Sequence, residues 1–503
     1  MYIKIISRYI YFIHFINNLQ MINKNRLFYG SCLALLTTAF AFTVIAGIAF
    51  SVKSEFVLTN AQLGVFTGVF FIGFTISQAI FSPLCDIIGM RWIVRGAFVT
   101  HVAGAILIMT SQGYGIAVAG SLCAGLGAGL VEAGCNPLVA ALYPDNKTSK
   151  LNHFHMWFPY GNLIAAVLLT LVFAQIGGGW RSQLLLVLVP ALGYGIMMFN
   201  APFPQTEGVS AGVSVGQSFK ALFAPIMIIM LPMMLLTASM ELPPSSWVPS
   251  VLQAGGINGL LVFGFVFGIM GTLRLLAGPV VRVLTPTGIL FAGAILATLG
   301  LYLFSMAEST LMAFLTAAIW AAGIAYFWPT MLGYVSERNP KSGALGLGVM
   351  GAVGMLASFF VTPWLGSVAD DKGHDVLTTG VIVEIFEEVN ATFPAIAQGA
   401  GAQAEDIMAV NATAQNVLSE YSQSSQLPRG ATMQALRAVS GSGIDADVVS
   451  HAQEQLNPAD NEGGRLSFRT LAPFGFILIL VFGLLLIRDL RAGGYRAEKI
   501  GGE

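Results

Sequence analysis

Charge is what this sequence has least of. Lys, Arg, Asp and Glu make up 10% of its 503 residues, against about a quarter in soluble domains, which excludes a water-soluble globule. Cysteine is scarce too. Cys32, Cys85, Cys123 and Cys135 all fall in or beside apolar segments and none forms a C-x-x-C pair, so small buried packing residues are expected rather than a metal or disulfide site. A Walker-type lysine loop, an H-E-x-x-H pair and a G-x-S-x-G element are all missing, which argues against ATP-driven transport and the commoner hydrolases. Neither an enzyme nor a cofactor is expected, and no nucleic-acid partner.

What is abundant is apolar sequence, 55% of the chain. Crossing a bilayer takes about 20 apolar residues. Runs of that kind lie near 27–50, 61–84, 93–111, 114–142, 152–176, 183–201, 221–250, 257–281, 287–307, 309–335, 343–366 and 468–487. They predict an all-α membrane protein of twelve spanning helices. Glycine and alanine within the runs suit close helix approach in lipid. Prolines inside them (Pro137, Pro243, Pro244, Pro329) are tolerable because neighbouring helices or an aqueous cavity can satisfy the freed backbone groups.

With the N-terminus in the cytoplasm, 17 basic residues fall inside and 7 outside, together the chain's 24. Most of the outside ones sit in one long connection, where the positive-inside rule is weak. Both termini are therefore expected on the cytoplasmic side of a cell membrane. The two halves echo each other. Ser82-Pro83 is matched by Gly278-Pro279 196 positions on, and Asn136-Pro137 by Trp328-Pro329 192 positions on. The expected organisation is an N-terminal extension (1–25, with Met21 favoured as the true start over an interfacial helix), a six-helix bundle (26–201), a linker (202–219) and helices 7–11 of a second bundle (220–367). An acidic insertion (368–467), helix 12 (468–490) and a tail (491–503) follow.

The segment Ser82-Pro83-Leu84-Cys85-Asp86-Ile87-Ile88-Gly89-Met90-Arg91 resembles the cytoplasmic signature of the major facilitator superfamily, with Asp86, Gly89 and Arg91 at its acid, glycine and base positions; the opening glycine is Ser82 here. The resemblance implies the major facilitator fold, two pseudo-symmetric six-helix bundles, with these residues at a cytoplasmic gate. Gly127 to Pro137 and Leu151-Asn152-His153-Phe154-His155 are similar to helices 4 and 5 of the fucose/galactose–proton symporter group, in which the helix 4 Glu takes part in proton coupling. Glu241, followed by Trp247, resembles an acidic position in related members. The chain departs from those sugar symporters in the first run, 27–50, which holds no carboxylate.

Glu132 is the only formally charged residue between Arg95 and Asp145. An acid in such a place is expensive and is usually functional. It can exist charged or neutral, and a proton can thereby select a conformation. Asn136 lies one turn away on the same face, and His155 is a second proton-handling candidate. Candidate solute contacts are Asn136, Asn162, Gln78, Glu241, Trp247, Trp320, Tyr326 and Trp328, the aromatics as a wall for a sugar ring or as ordinary packing. Arg274 with Arg282 is expected as an interdomain latch at the cytoplasmic gate.

From Asp370 to Arg469 there are 14 acids against 5 bases. Amphipathic patterning in 376–389 and 402–425 hints at short helices, and the segment reads as a mobile acidic loop, or else as a lid or docking module. Asn390-Ala391-Thr392 and Asn411-Ala412-Thr413 match the glycosylation pattern. The expected activity is alternating-access transport of a small polar organic solute, sugar first, by proton symport in a lipid-embedded monomer. Alternatives are an organic anion or drug-like solute, uniport without protons, or a transporter-derived sensor docking a partner through 368–467.

Overall fold

In a computed structural model the described residues are 22–56, 60–169 and 179–498; the expected features of the extension up to residue 21, including the start at Met21, lie outside them. Among the described residues all regular structure is helical. The first half comprises α1 (Lys24–Glu55), α2 (Asn60–Ile88), α3 (Met90–Met109), α4 (Tyr114–Leu142), a crossing in two pieces, α5 (Lys147–His155) and α6 (Trp157–Leu168), then α7 (Gly179–Ser182) and α8 (Leu185–Met198). Two short helices, α9 (Glu207–Ser210) and α10 (Val215–Ala221), lead to α11 (Pro225–Ala254), α12 (Gly259–Leu275) and α13 (Ala277–Phe304). Another two-piece crossing, α14 (Thr310–Ile324) and α15 (Phe327–Arg338), precedes α16 (Gly343–His374). Then come α17 (Thr379–Gly399), α18 (Ala404–Ser424), α19 (Arg429–Ser440), α20 (Asp447–Arg469) and α21 (Ala472–Arg491). Among the described residues ten segments are long and apolar enough to cross a membrane. The two-piece α5/α6 and the shorter apolar α12 bring the crossings to twelve.

Close approach is built on small residues. A Cβ on Gly125 of α4 would lie 2.1 Å from the Phe70 carbonyl oxygen of α2, so only glycine lets these backbones touch. Both described ends lie on one face. Arg26 donates to the Met197 carbonyl at the end of α8 (2.6 Å), and the Glu498 amide donates to the Glu337 carbonyl at the end of α15 (2.7 Å). We call this the terminal face and its opposite the insertion face.

The internal repeat extends to the backbone. Gly89, between α2 and α3, has φ +86° and ψ 144°. Thr285, 196 positions later, has φ +61° and ψ 163° inside α13. The second half thus repeats the sharp turn with a residue that pays steric strain there. Thr285 is followed by Pro286, and its hydroxyl accepts from the Gly288 amide (3.5 Å), so it starts a helix in place of glycine. Gly89→Ala is expected to destabilise the fold by roughly 1–3 kcal/mol through backbone strain alone, since no heavy atom lies within 4 Å of the added Cβ. Thermal unfolding of the purified protein checks this.

The acidic connection is a folded unit. Helices α17 to α20 enclose their own core around Phe386, Val389, Phe393, Leu436 and Val439. α16 overshoots the apolar run that ends at 366 because its extra turns are partnered. Arg437 of α19 bridges Asp370 of α16 (2.6 Å) and Asp460 of α20 (2.5 Å). A Cβ on Gly463 of α20 would meet the Ala369 carbonyl at 2.1 Å, and Asn461 donates to the Val251 carbonyl of α11 (2.8 Å). The unit is therefore clamped onto the insertion-face ends of α11 and α16. Asn411 is buried within a helix, a poor place for a glycan.

Candidate functional site

A proline in a helix leaves the carbonyl four residues earlier without its usual donor. Four such carbonyls are met here by side chains from other helices. Pro137 frees Ala133, which accepts from the Cys85 thiol (3.2 Å). Pro244 frees Met240, which accepts from the Trp320 indole (3.1 Å). Pro329 frees Ala325, and Pro159 frees His155, and both of these carbonyls are held by one guanidinium. Arg274 donates from Nε to the Ala325 carbonyl (2.5 Å) and from Nη1 to the His155 carbonyl (3.1 Å). The breaks between α5 and α6 and between α14 and α15 are where that side chain grips.

The same guanidinium donates from Nη2 to Glu241 Oε1 of α11 (3.2 Å), and its charge also bears on Glu132 of α4. Glu132 sits in a second chain of bonds. Asn136 Nδ2 donates to Glu132 Oε2 (2.5 Å), and Asn136 Oδ1 accepts from His155 Nε2 (2.9 Å). His155 Nε2 is 3.8 Å from the Glu132 carboxylate. Two buried carboxylates, each 5% exposed, thus lie in the same cluster, one on each side of the seam between the halves: Glu241 is hydrogen-bonded to the Arg274 guanidinium, and Glu132 to Asn136. Taking such charges out of water is costly unless they are paired and hydrogen-bonded.

The structure brings Glu132, Asn136, His155, Glu241 and Arg274 into one cluster. Tyr326 joins its edge by donating to the Leu273 carbonyl (2.5 Å). Trp320 is fully buried against Phe304, and Trp328 packs on Gly354 of α16. Trp247 is apart, beside Gly366 in a 270 Å³ pocket with Asp370, Arg437 and Asp460 at the insertion face. Asn162 accepts from Thr43 (3.0 Å) and lines an apolar groove of about 830 Å³ between α6 and α12. Gln78 is pressed against Gly351 of α16. Three of these side chains keep buried polar atoms without a hydrogen-bond partner: both amide atoms of Gln78, Nδ2 of Asn162 and Oε2 of Glu241.

On the terminal face the halves are joined. Asp86 accepts from Thr206 (2.6 Å), and its other oxygen lies 3.6 Å from where a Cβ on Gly343 would sit, at the start of α16. Ser342 gives that helix no side-chain cap, so an acid of the first half faces a bare helix N-terminus of the second. Glu337 does the reverse. Asn146 gives α5 no side-chain cap, and the Thr148 amide and hydroxyl donate to Glu337 Oε1 across the seam (3.0 and 2.8 Å). Gly89 and Arg91 line one cleft of about 610 Å³ with Asp86. Arg282 is exposed and bonds only within its own helix to the Gly278 carbonyl (3.4 Å). Arg274 therefore links the halves through His155, one layer deeper than Arg282 and not with it. Sequence reasoning missed Glu337, Thr148 and Pro159. Charged or polar residues flanking a loop look solvated, and only counting back four residues from each proline would have marked the His155 and Ala325 carbonyls.

The family model described as Major Facilitator Superfamily matches residues 31–362. A glucose transporter, GlcP, of Staphylococcus epidermidis is 24% identical over 170 residues, 34% of this chain and 38% of that protein. The chain thus matches well under half the length of that relative. Among solved structures, the xylose transporter XylE of E. coli in a partially occluded inward-open conformation aligns with a TM-score of 0.54 at 17% identity, covering 67% of this chain and 90% of the other. The E. coli fucose:proton symporter FucP aligns with a TM-score of 0.53 at 16% identity, covering 67% and 92%. At such identities the likeness is one of fold. With the family model spanning most of the helical bundle, the chain belongs to the Major Facilitator Superfamily.

Proposed function

We propose that this protein, a member of a family of transporters rather than enzymes, is a proton-coupled symporter for a small neutral polar solute, with sugars first. The observation that carries this is the cluster in which Arg274 pairs with Glu241 and grips the carbonyl of His155, whose ring lies 3.8 Å from the Glu132 carboxylate of the other half. With Glu132 charged, two negative charges face one positive; with Glu132 protonated, the charges balance. A proton can therefore set how strongly the first half holds Arg274 of the second. In rocking between two faces, that difference shifts the balance of states. The partnerless polar atoms of Gln78, Asn162 and Glu241 suit a hydroxyl-rich ligand, since buried polar groups are normally satisfied.

An organic anion fits less well. All three donor directions of Arg274 used here already serve protein acceptors, and the site holds more acid than base. The relatives named as transporters of glucose, xylose and fucose support the sugar class. The positive-inside count supports a cytoplasmic terminal face in a cell membrane, and each chain carries a complete seam, so it works as a monomer in the lipid bilayer. The test is uptake into proteoliposomes of labelled sugars, nucleosides and carboxylates. Accumulation of a sugar that collapses with a protonophore is expected; accumulation of carboxylates alone, or uptake indifferent to the proton gradient, contradicts the proposal.

A further inference from the structure

The chain beyond α21 turns back on itself. Gly493 and Gly494 have φ of +84° and +109°, a region that side-chain-bearing residues rarely enter, and the Gly494 amide closes the turn on the Asp489 carbonyl (2.9 Å). This aims Tyr495 at the end of α15. Its hydroxyl donates to Glu337 Oε2 (2.5 Å), its ring lies 4.7 Å beneath the Arg338 guanidinium and 6.0 Å from the Tyr334 ring. Three residues on, the Glu498 amide donates to the Glu337 carbonyl (2.7 Å). Arg338 is in turn paired with Asp489 of α21. Burial, and then the Glu337 carboxylate beside it, push the Tyr495 phenol up, so it remains the donor.

Glu337 is the acid that caps α5 of the opposite half. Its Oε1 takes the Thr148 amide and hydroxyl while Oε2 is held by the tail. Free to rotate, a glutamate must give up side-chain entropy to cap across the seam; held by Tyr495, it has already done so. Gly333 helps from behind, since a Cβ there would meet the Thr148 hydroxyl at 2.5 Å.

We infer that Tyr495 is a positioning residue for the terminal-face gate: by fixing the Glu337 carboxylate toward Thr148 it favours the state closed on that face. The tail and Glu337 both belong to the second half, so their contact survives opening while the bond to Thr148 does not. Losing the tail contact therefore weakens closure without unmaking the bundle. The inference rests on alternating access and not on the identity of the solute.

The test uses the full chain in nanodiscs, with spin labels on exposed positions of opposite halves, Asp145→Cys and Lys341→Cys, and pulsed electron–electron distance measurements. Tyr495→Phe keeps the ring and removes only the donor. The closed-to-open ratio is expected to fall by about threefold to tenfold, the scale of the side-chain entropy that an unheld Glu337 gives up on closing, and a chain ending at Arg491 should fall at least as far. Tyr495→Phe in a Glu337→Ala background should add little, because the tail acts only through that carboxylate. Unchanged distance distributions in both tail variants overturn the inference. So does a lowered melting temperature with no change in the distances, which would make the tail structural only.

Discussion

Glu132→Gln is expected to lose gradient-driven accumulation and keep solute exchange. Gln has the same length, and its carbonyl can still accept from Asn136 Nδ2, the bond that Glu132 Oε2 makes now. What it cannot do is carry a negative charge toward Arg274. If that charge is how the proton is felt, a gradient of about one pH unit, worth roughly 1.4 kcal/mol or tenfold in concentration, should support accumulation in the wild type and none in the variant. Counterflow, in which labelled solute exchanges with unlabelled solute at equal pH, should proceed at a comparable rate. Loss of both activities would place Glu132 in solute binding or packing rather than in coupling. Retention of both would remove it from the mechanism.

Arg274→Met should do more damage than any other single change. It leaves the Glu241 carboxylate buried without its cation, which costs about 3–5 kcal/mol. It also strands the carbonyls of His155 and Ala325, each about 1–3 kcal/mol when buried and unsatisfied. Low yield, a lowered melting temperature and no transport are the expected results. Adding Glu241→Gln should restore part of the stability, since the lone charge goes while the two carbonyls stay stranded, and transport should stay absent. Arg274→Lys keeps a charge for Glu241 but loses the planar fork that reaches three acceptors; its stability should lie between the other two. An Arg274→Met protein as stable as wild type would mean that the proline-freed carbonyls find other partners and that the grip described here is unimportant.

Much of this molecule is legible in its residues because lipid leaves so few choices. Long apolar runs fix the crossings, and a lone acid such as Glu132 stands out against them. The 196-residue echo found at Ser82-Pro83 and Gly278-Pro279 reappears as one turn geometry at Gly89 and Thr285. Other features were hidden for physical reasons. Arg274 is placed with Arg282 by closeness in sequence, but the seven residues between them cross the break after α12, so one side chain points into the seam and the other to the surface. In the insertion, two amphipathic stretches announced α17 and α18. α20 contains Pro458 and Gly463-Gly464, which read as loop, yet those glycines are what lets it lie flush on α11 and α16. Glu337 gave no signal, because an acid beside Arg338 at a helix end looks like any solvated pair until Thr148 arrives from the other half.

The most direct measurement of the coupling is proton movement set off by solute alone. Proteoliposomes loaded with a pH-sensitive dye, at equal pH on both sides, receive the transported solute on the outside. The lumen should acidify in step with solute uptake for the wild type, and stay constant for Glu132→Gln while that variant still exchanges label. Acidification that persists in Glu132→Gln, or solute uptake by the wild type with no proton movement, would contradict a proton switch at the seam.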